Sequence, residues 1–287
     1  MRFMRKRKTA ALFLTVLILL SGCAQNVQGN VSSDPADSPA AGSSAYSQMT
    51  AEEELDGYGS GKRLTGSCTA VLVFVDDPQA KWSDEAKSKM TALCQKAARY
   101  LVNQAKQYDV ALELNCGGEY TLSCTTEETI PTEITDFEWT VRVQKQADYD
   151  AFCKERELQN VVFLLLVPKE GRSYSLPYSD GISTDYYKES VVIYAGDSSD
   201  TSLPATIAHE MLHPFGADDL YFPYDTDTAR AELAKEYFPD DIMLRVDPLL
   251  STLTIGAYTA YKIGWTDSLD PKYEVFLAEG SASEIQR

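Results

Sequence analysis

The sequence predicts a mixed α/β (α+β) domain over residues 67–287, with a twisted sheet and its helices first and a mostly helical part after them. Short apolar runs rich in β-branched residues alternate with segments of helical spacing in the first half, which predicts strands joined by helices. Helical spacing dominates the second half. One run is apolar throughout, as is typical of a central strand covered on both faces.

The elements can be assigned in chain order. Apolar or alternating runs predict strands at 69–77, 110–115, 137–143, 160–168 and 190–196. Helical spacing predicts helices at 82–108, 146–158, 228–238 and 249–265, and Ser83 is a suitable N-cap for the first of them. A segment rich in Tyr, Ser and Gly, residues 171–188, predicts a loop before the last strand.

The N-terminus has the features of a secretory signal over residues 1–22. A basic start precedes an apolar segment that is shorter than the roughly 20 residues needed to span a bilayer. The segment ends in Leu-Ser-Gly-Cys, which resembles a bacterial lipobox, and the resemblance implies that Cys23 is lipidated and anchors the protein to the outer face of the cell membrane. Residues 23–66 are small and polar and predict a flexible tether.

The charge balance excludes some partners. The chain carries a net charge of −17. Without residues 1–22, the remaining 21 basic and 43 acidic residues give −22. Such a surface repels nucleic acid and anionic lipid headgroups, so we expect no nucleic-acid partner and membrane attachment through acyl chains alone.

Beyond Cys23, five cysteines remain, and none has the CxxC spacing of a zinc-thiolate site. Disulfides are allowed outside the cytoplasm, and Cys116 and Cys124 could close a hairpin. The odd number leaves at least one free thiol, so no pairing is assumed.

The strongest motif is "IAHEMLHPFGADDLY", residues 207–221, which contains both histidines of the chain. Thr201 or Ser202 can cap a helix here, with Pro204 in its first turn. On a helix, His209 and His213 lie one turn apart on the same face and can bind one metal ion. Glu210 is rotated by about 100° and can accept a proton from water beside the ion.

Continued to its tenth residue, the motif HExxHxxGxxD resembles the zinc-binding pattern of metzincin metallopeptidases, with Asp219 in the position usually held by a third histidine. Snapalysin-like and immune-inhibitor-A-like enzymes show this substitution. The resemblance implies a zinc ion held by His209, His213 and Asp219, a sharp left-handed turn at Gly216, and Met243 of "DIM" as an apolar floor. It also implies a metzincin-like domain with the active-site helix at the junction of its two parts, and covers about residues 190–265.

Several alternatives stay open at this point. Asp218 could replace Asp219, and Glu232 or Glu236 could supply the third ligand as in thermolysin-like enzymes. Pro214 directly after His213 disfavours helical conformation there, so the helix could end early. Transition-state donors are unassigned, with Tyr221, Tyr224 and Tyr258 as candidates.

The function implied is a membrane-anchored, monomeric zinc endopeptidase that acts on peptide or protein substrates, with Glu210 as general base. The strand at 190–196 resembles the edge strand that pairs with an extended peptide. The alternatives are a catalytically inactive zinc-dependent peptide-binding lipoprotein, a structural surface lipoprotein without metal, and a zinc hydrolase for a non-peptide amide.

Overall fold

The computed structural model describes residues 61, 63–133, 137–176, 189–196, 202–222 and 227–277. The predicted signal segment, Cys23, almost all of the predicted tether and Tyr224 lie outside these residues. Across the described residues, no helix has both the length and the apolar character needed to cross a membrane.

Within the described residues, a five-stranded sheet forms the centre of the domain. Its strands are β1 (Gly66–Asp76), β2 (Leu112–Thr125), β3 (Val161–Val167), β4 (Tyr174–Leu176) and β5 (Ser190–Tyr194), in the spatial order β2-β1-β3-β5-β4. All neighbours are parallel except β4, which pairs antiparallel with β5. The predicted α/β class is therefore confirmed.

Helices cover both faces of the sheet. On one face lie α1 (Asp84–Ala105) and α4 (Leu203–Leu212), and on the other lie α2 (Glu138–Ala147) and α3 (Tyr149–Glu155). Alternate β1 residues point to the two faces: Leu72 and Phe74 pack on the α1 side, while Val71 and Val73 pack on the α2 side. This two-sided burial explains why residues 70–75 of β1 and all of β3 are apolar.

The part after the sheet is mostly helical, as predicted, although its helices are short. It contains α5 (Thr228–Tyr237), α6 (Ala257–Lys262) and 3₁₀ turns at Leu250–Thr252 and Pro271–Leu277. The helix predicted at 249–265 is wrong in extent, because Gly256 caps α6 in extended conformation and the preceding residues form a bridge to Asp241.

The strand predicted at 137–143 is wrong: Phe137 is the N-cap of α2, and the other residues belong to this helix. Phe137, Trp139, Val141 and Val143 alternate in sequence, which suggested a strand. In the structure Trp139 and Val143 are buried on one face, four residues apart, whereas Phe137 is 37% exposed. A short segment that satisfies both periods cannot be assigned from periodicity alone.

Strand β2 is longer than predicted and contains both Cys116 and Cys124. These residues pair with Ala70 and Val75 of β1, so their Cα atoms are about 16 Å apart at the usual rise of a strand. A disulfide needs Cα atoms within about 7 Å. The hairpin bridge considered from the sequence is therefore not formed, and all five described cysteines are free thiols.

The folded domain also begins earlier than residue 67. Leu64 is fully buried in the core. Its N–H donates to the Ile263 carbonyl at 3.2 Å, and its own carbonyl accepts from Trp265 Nε1 at 2.7 Å. Residues 63–65, assigned to the tether from composition, thus pack against the end of α6.

Candidate metal centre

Helix α4 carries the histidine motif across the junction between the sheet and the helical part. Ser202 occupies the N-cap position without a side-chain cap, and Pro204 lies in the first turn as expected. The helix ends at Leu212, and His213–Phe215 continue as a 3₁₀ turn. The early end expected from Pro214 is therefore observed, and His213 keeps helical dihedral angles.

Gly216 ends this turn with a φ of +99°, the left-handed conformation predicted for it. A Cβ atom here would lie 3.0 Å from the Lys262 carbonyl oxygen, so a larger residue would also meet α6. The turn brings the chain back toward the helix, and Asp219 returns beside the two histidines.

His209, His213 and Asp219 form a buried group whose ligand atoms all lie within 4.8 Å of one another, and this group could hold a metal ion. Asp219 Oδ1 is 3.0 Å from His209 Nε2 and 3.6 Å from His213 Nε2. Yet this buried oxygen accepts no aligned hydrogen bond from the described residues. Three potential ligand atoms so close together in a buried site fit the requirements of an ion.

The charges in the group are strongly coupled without a metal. Burial lowers the pKa of His209, but the Asp219 carboxylate and Glu210 more than offset this and raise it to about 9. Burial raises the pKa of Asp219, but His213 and His209 lower it below its ordinary value. A proton on His209 therefore stabilises the metal-free site, and a metal cation would take over that role.

Both imidazoles are oriented by backbone carbonyls. His209 Nδ1 lies 2.8 Å from the Ile242 carbonyl, and His213 Nδ1 lies 2.8 Å from the Ala217 carbonyl. A ring that donates its Nδ1–H to a carbonyl presents Nε2 as the metal-binding nitrogen. Both Nε2 atoms face Asp219, which is the arrangement that a metal site requires.

Glu210 is buried next to the three donors, with 8% of its surface exposed. The Ser175 hydroxyl lies 2.9 Å from Glu210 Oε2 and 2.7 Å from the Glu210 backbone carbonyl. Ser175 is the middle residue of β4, which the sequence analysis had included in a loop. A three-residue strand has no detectable sequence period, so this contact could not be predicted.

The rival ligands lie elsewhere. Asp218 Oδ2 accepts from the Tyr258 hydroxyl at 2.7 Å and pairs with Lys262 Nζ at 3.1 Å. Glu232 is exposed on α5 and pairs with Lys235 at 2.7 Å, and Glu236 is also exposed. The structure thus brings Asp219 to the histidines and brings none of the three rivals.

Of the two tyrosine candidates within the described residues, Tyr221 lies beside the group, with its ring centroid 6.4 Å from that of His209. Burial and the nearby carboxylates raise its pKa, while a hydrogen bond with Arg172 lowers it, so the phenol keeps its proton. Tyr258 is buried, and its hydroxyl oxygen lies 2.7 Å from Asp218 Oδ2 and 2.8 Å from the Phe276 carbonyl oxygen, either of which can accept its proton. Sequence reasoning missed Arg172, an exposed guanidinium before β4.

Met243 is fully buried in the core beneath this region. Its backbone carbonyl accepts from the N–H of Leu220, the residue after Asp219, at 3.0 Å. The turn at Met243 therefore contacts the chain next to the third donor, consistent with the supporting role expected from the resemblance.

No protein-family model matches the chain, and no curated protein matches it. Among solved structures, a chaperone–substrate complex has 11% identity and a TM-score of 0.31, covering 54% of this chain and 24% of that one. Metalloproteinase-II from Bacteroides fragilis has 11% identity and a TM-score of 0.38, covering 75% and 57%. Thus this chain spans less than two thirds of either.

Proposed function

We propose that the protein is a zinc-dependent peptidase. The observation that carries the proposal is the convergence of His209, His213 and Asp219 in a buried group, with the carboxylate of Glu210 beside them. Two imidazoles and one carboxylate are the protein ligands of several catalytic zinc sites, which keep a fourth position open. When bound, zinc lowers the pKa of water and polarises a scissile carbonyl.

Three side chains of this protein have roles in the proposed reaction. Glu210 accepts the proton of the attacking water and delivers it to the leaving amine. Ser175 holds the Glu210 carboxylate at 2.9 Å, which restricts its orientation. Tyr221, protonated and near His209, is the candidate donor to the oxygen that becomes negative in the transition state.

An extended peptide would pair with β4 rather than with β5. Residues 190–196 were expected to form the peptide-binding edge, but β5 lies between β3 and β4. Among the described strands, β2 and β4 are the two edges, and Ser175 of β4 contacts the general base. Pairing with this edge would bring a substrate backbone close to Glu210.

The same donor set also binds Fe(II) in oxygenases. The buried Glu210 favours hydrolysis, because proton transfer to a carboxylate is what water attack on an amide needs. Metal analysis of the purified chain distinguishes the two ions.

The test of the peptidase is Glu210→Gln. We expect this variant to bind zinc at the wild-type stoichiometry and to lose at least about 100-fold in cleavage of a quenched-fluorescence peptide library, because it cannot accept the proton. Glu236→Gln, the same change on the exposed face of α5, is the matched control and should cleave at the wild-type rate.

Cleavage that survives in Glu210→Gln would remove Glu210 as the base. Zinc binding by the wild type without any cleavage of peptides would favour the binding lipoprotein instead. Cleavage that resists a chelator would contradict the role of the metal.

We also propose that the protein is anchored to the outer face of the cell membrane by acyl chains on Cys23. The support is the lipobox-like sequence that precedes this residue. Cys23→Ala should move the protein from the membrane fraction to the soluble fraction, because acyl chains supply the attachment of an acidic protein. An unchanged distribution between the fractions would contradict the anchor.

A further inference from the structure

The turn that supports the histidine helix is itself held by a buried carboxylate. Asp241 is fully buried. Its Oδ1 accepts from the Met243 N–H at 2.7 Å, and its Oδ2 accepts from the Gly256 N–H at 2.7 Å and from the Thr259 hydroxyl at 2.9 Å. Asp241 thus joins residues 241–243 to the start of α6.

Through its backbone, this turn contacts one candidate ligand directly and the residue next to a second. The Ile242 carbonyl lies 2.8 Å from His209 Nδ1. The Met243 carbonyl accepts from the Leu220 N–H, directly after Asp219, at 3.0 Å. His213 is held differently, by the Ala217 carbonyl four residues along the same loop.

Burial of the Asp241 carboxylate is energetically unfavourable, which indicates that this residue has a role that an apolar side chain could not fill. A carboxylate removed from water is costly even when backbone N–H groups surround it. Burial raises the pKa of Asp241 to about 6, despite the three hydrogen bonds that lower it. An apolar side chain would suit the core better, but it could not hold the two loop segments to one another.

We propose that Asp241 is a positioning residue for the metal centre: it fixes the 241–243 turn so that the Ile242 carbonyl orients His209. The inference rests on the proposed metal-dependent function and adds a residue that the histidine motif does not contain. Asp241 does not touch substrate or metal and acts through His209. Loss of such an outer contact typically weakens metal affinity or activity by about 10–100-fold.

The test is Asp241→Asn in the full-length chain. The amide has the same shape, but its NH₂ group cannot accept a hydrogen bond. The variant therefore loses the bonds made by one of the two carboxylate oxygens, either that from Met243 or those from Gly256 and Thr259. We expect the zinc dissociation constant, measured by competition with a chelator, to rise about 10–100-fold.

A second readout needs no metal. The chain contains two histidines, so ¹⁵N-histidine NMR of the metal-free protein shows two imidazole rings. In Asp241→Asn, the ring Nδ1–H of His209 should exchange with solvent at least about tenfold faster, because its acceptor is no longer fixed. The His213 signal should not change, since Ala217 holds it locally, and a His213→Gln variant assigns the two rings.

Asp77→Asn is the matched control. Asp77 is 1% exposed and also accepts backbone N–H groups, from Gln79, Ala80 and Ile130. Its loss should lower the melting temperature while zinc affinity and both imidazole signals stay as in the wild type. If Asp241→Asn likewise lowers only the melting temperature and leaves zinc affinity and both imidazole signals unchanged, the proposal is overturned and Asp241 is a purely structural residue.

If Asp241→Asn does not fold, Thr259→Val removes one of the three hydrogen bonds and should weaken zinc binding several-fold. Unchanged zinc affinity in a destabilised Thr259→Val would overturn the proposal as well. If the wild type binds no zinc, the proposed function fails, but the ring-exchange experiment on the metal-free protein still decides the role of Asp241.

Discussion

Asp218 and Asp219 are adjacent and almost equally buried, yet they face different partners, so the same substitution should affect different properties of the protein. Asp219 faces the two histidines, at 3.0 and 3.6 Å. Asp218 faces the Tyr258 hydroxyl at 2.7 Å and Lys262 at 3.1 Å. We predict that Asp219→Asn loses the metal, whereas Asp218→Asn loses stability and keeps the metal.

The magnitudes follow from these contacts. Loss of an outer contact weakens metal binding by about 10–100-fold, so loss of a direct ligand should weaken it by more than about 100-fold, or about 3 kcal/mol. Removal of one partner of a buried ion pair costs about 3–5 kcal/mol. The Lys262 side chain is 26% exposed and can turn toward water, which reduces the cost for Asp218→Asn to about 1–3 kcal/mol.

The assay combines metal analysis with urea unfolding. Zinc affinity is measured by chelator competition, and the free energy of unfolding is measured with excess chelator, so that metal binding does not add to stability. Zinc lost from Asp218→Asn and retained by Asp219→Asn would refute the assignment of the third ligand. Zinc retained by both variants would refute a carboxylate ligand at either position.

Two further predictions concern pH and the domain boundary. In the metal-free protein the raised pKa of His209, about 9 against an ordinary 6.5, stabilises the fold below pH 6.5, and this stability is lost as the pH rises through 9. The free energy of unfolding, measured in urea with chelator, should therefore fall by about 3 kcal/mol between pH 6.5 and pH 9. This fall should disappear in Asp219→Asn. A fall of equal size in both proteins would contradict the coupling between His209 and Asp219. Leu64→Ala should cost about 2–5 kcal/mol in urea unfolding because the side chain is fully buried. Leu249→Ala, at a side chain 64% exposed, should cost less than about 0.5 kcal/mol, and similar losses in the two variants would show that residue 64 lies outside the core.

The sequence predicted the structure best where the conformation of a segment depends on its own residues. The buried strands β1 and β3 and the helix α1 have long, consistent patterns, and Ser83 caps α1 as expected, through the N–H of Ala86. The spacing of His209 and His213 on one helix is likewise a local property. The left-handed turn at Gly216 follows from the same local reasoning.

The sequence left alternatives open, or misled, where distant residues decide. The motif favoured Asp219 and left Asp218 open; contacts of Asp218 with Tyr258 and Lys262, some forty residues later, hold it away from the histidines. The edge strand beside Glu210 was assigned to residues 190–196 instead of β4, because β4 has only three residues. Segment 137–143 satisfied two periods, and only packing against the sheet selects the helix.

The two imidazoles therefore depend on different parts of the molecule, although they lie on one turn of the chain. His213 is oriented by Ala217, within the motif, so its geometry forms whenever the loop forms. His209 is oriented by Ile242, 33 residues away, and so it requires the helical part to be packed against α4. Binding of a metal ion by both imidazoles therefore requires the folded domain, because residues 207–221 alone do not orient His209. Zinc affinity should accordingly fall with any change that loosens the 241–243 turn, even when all three ligands are intact.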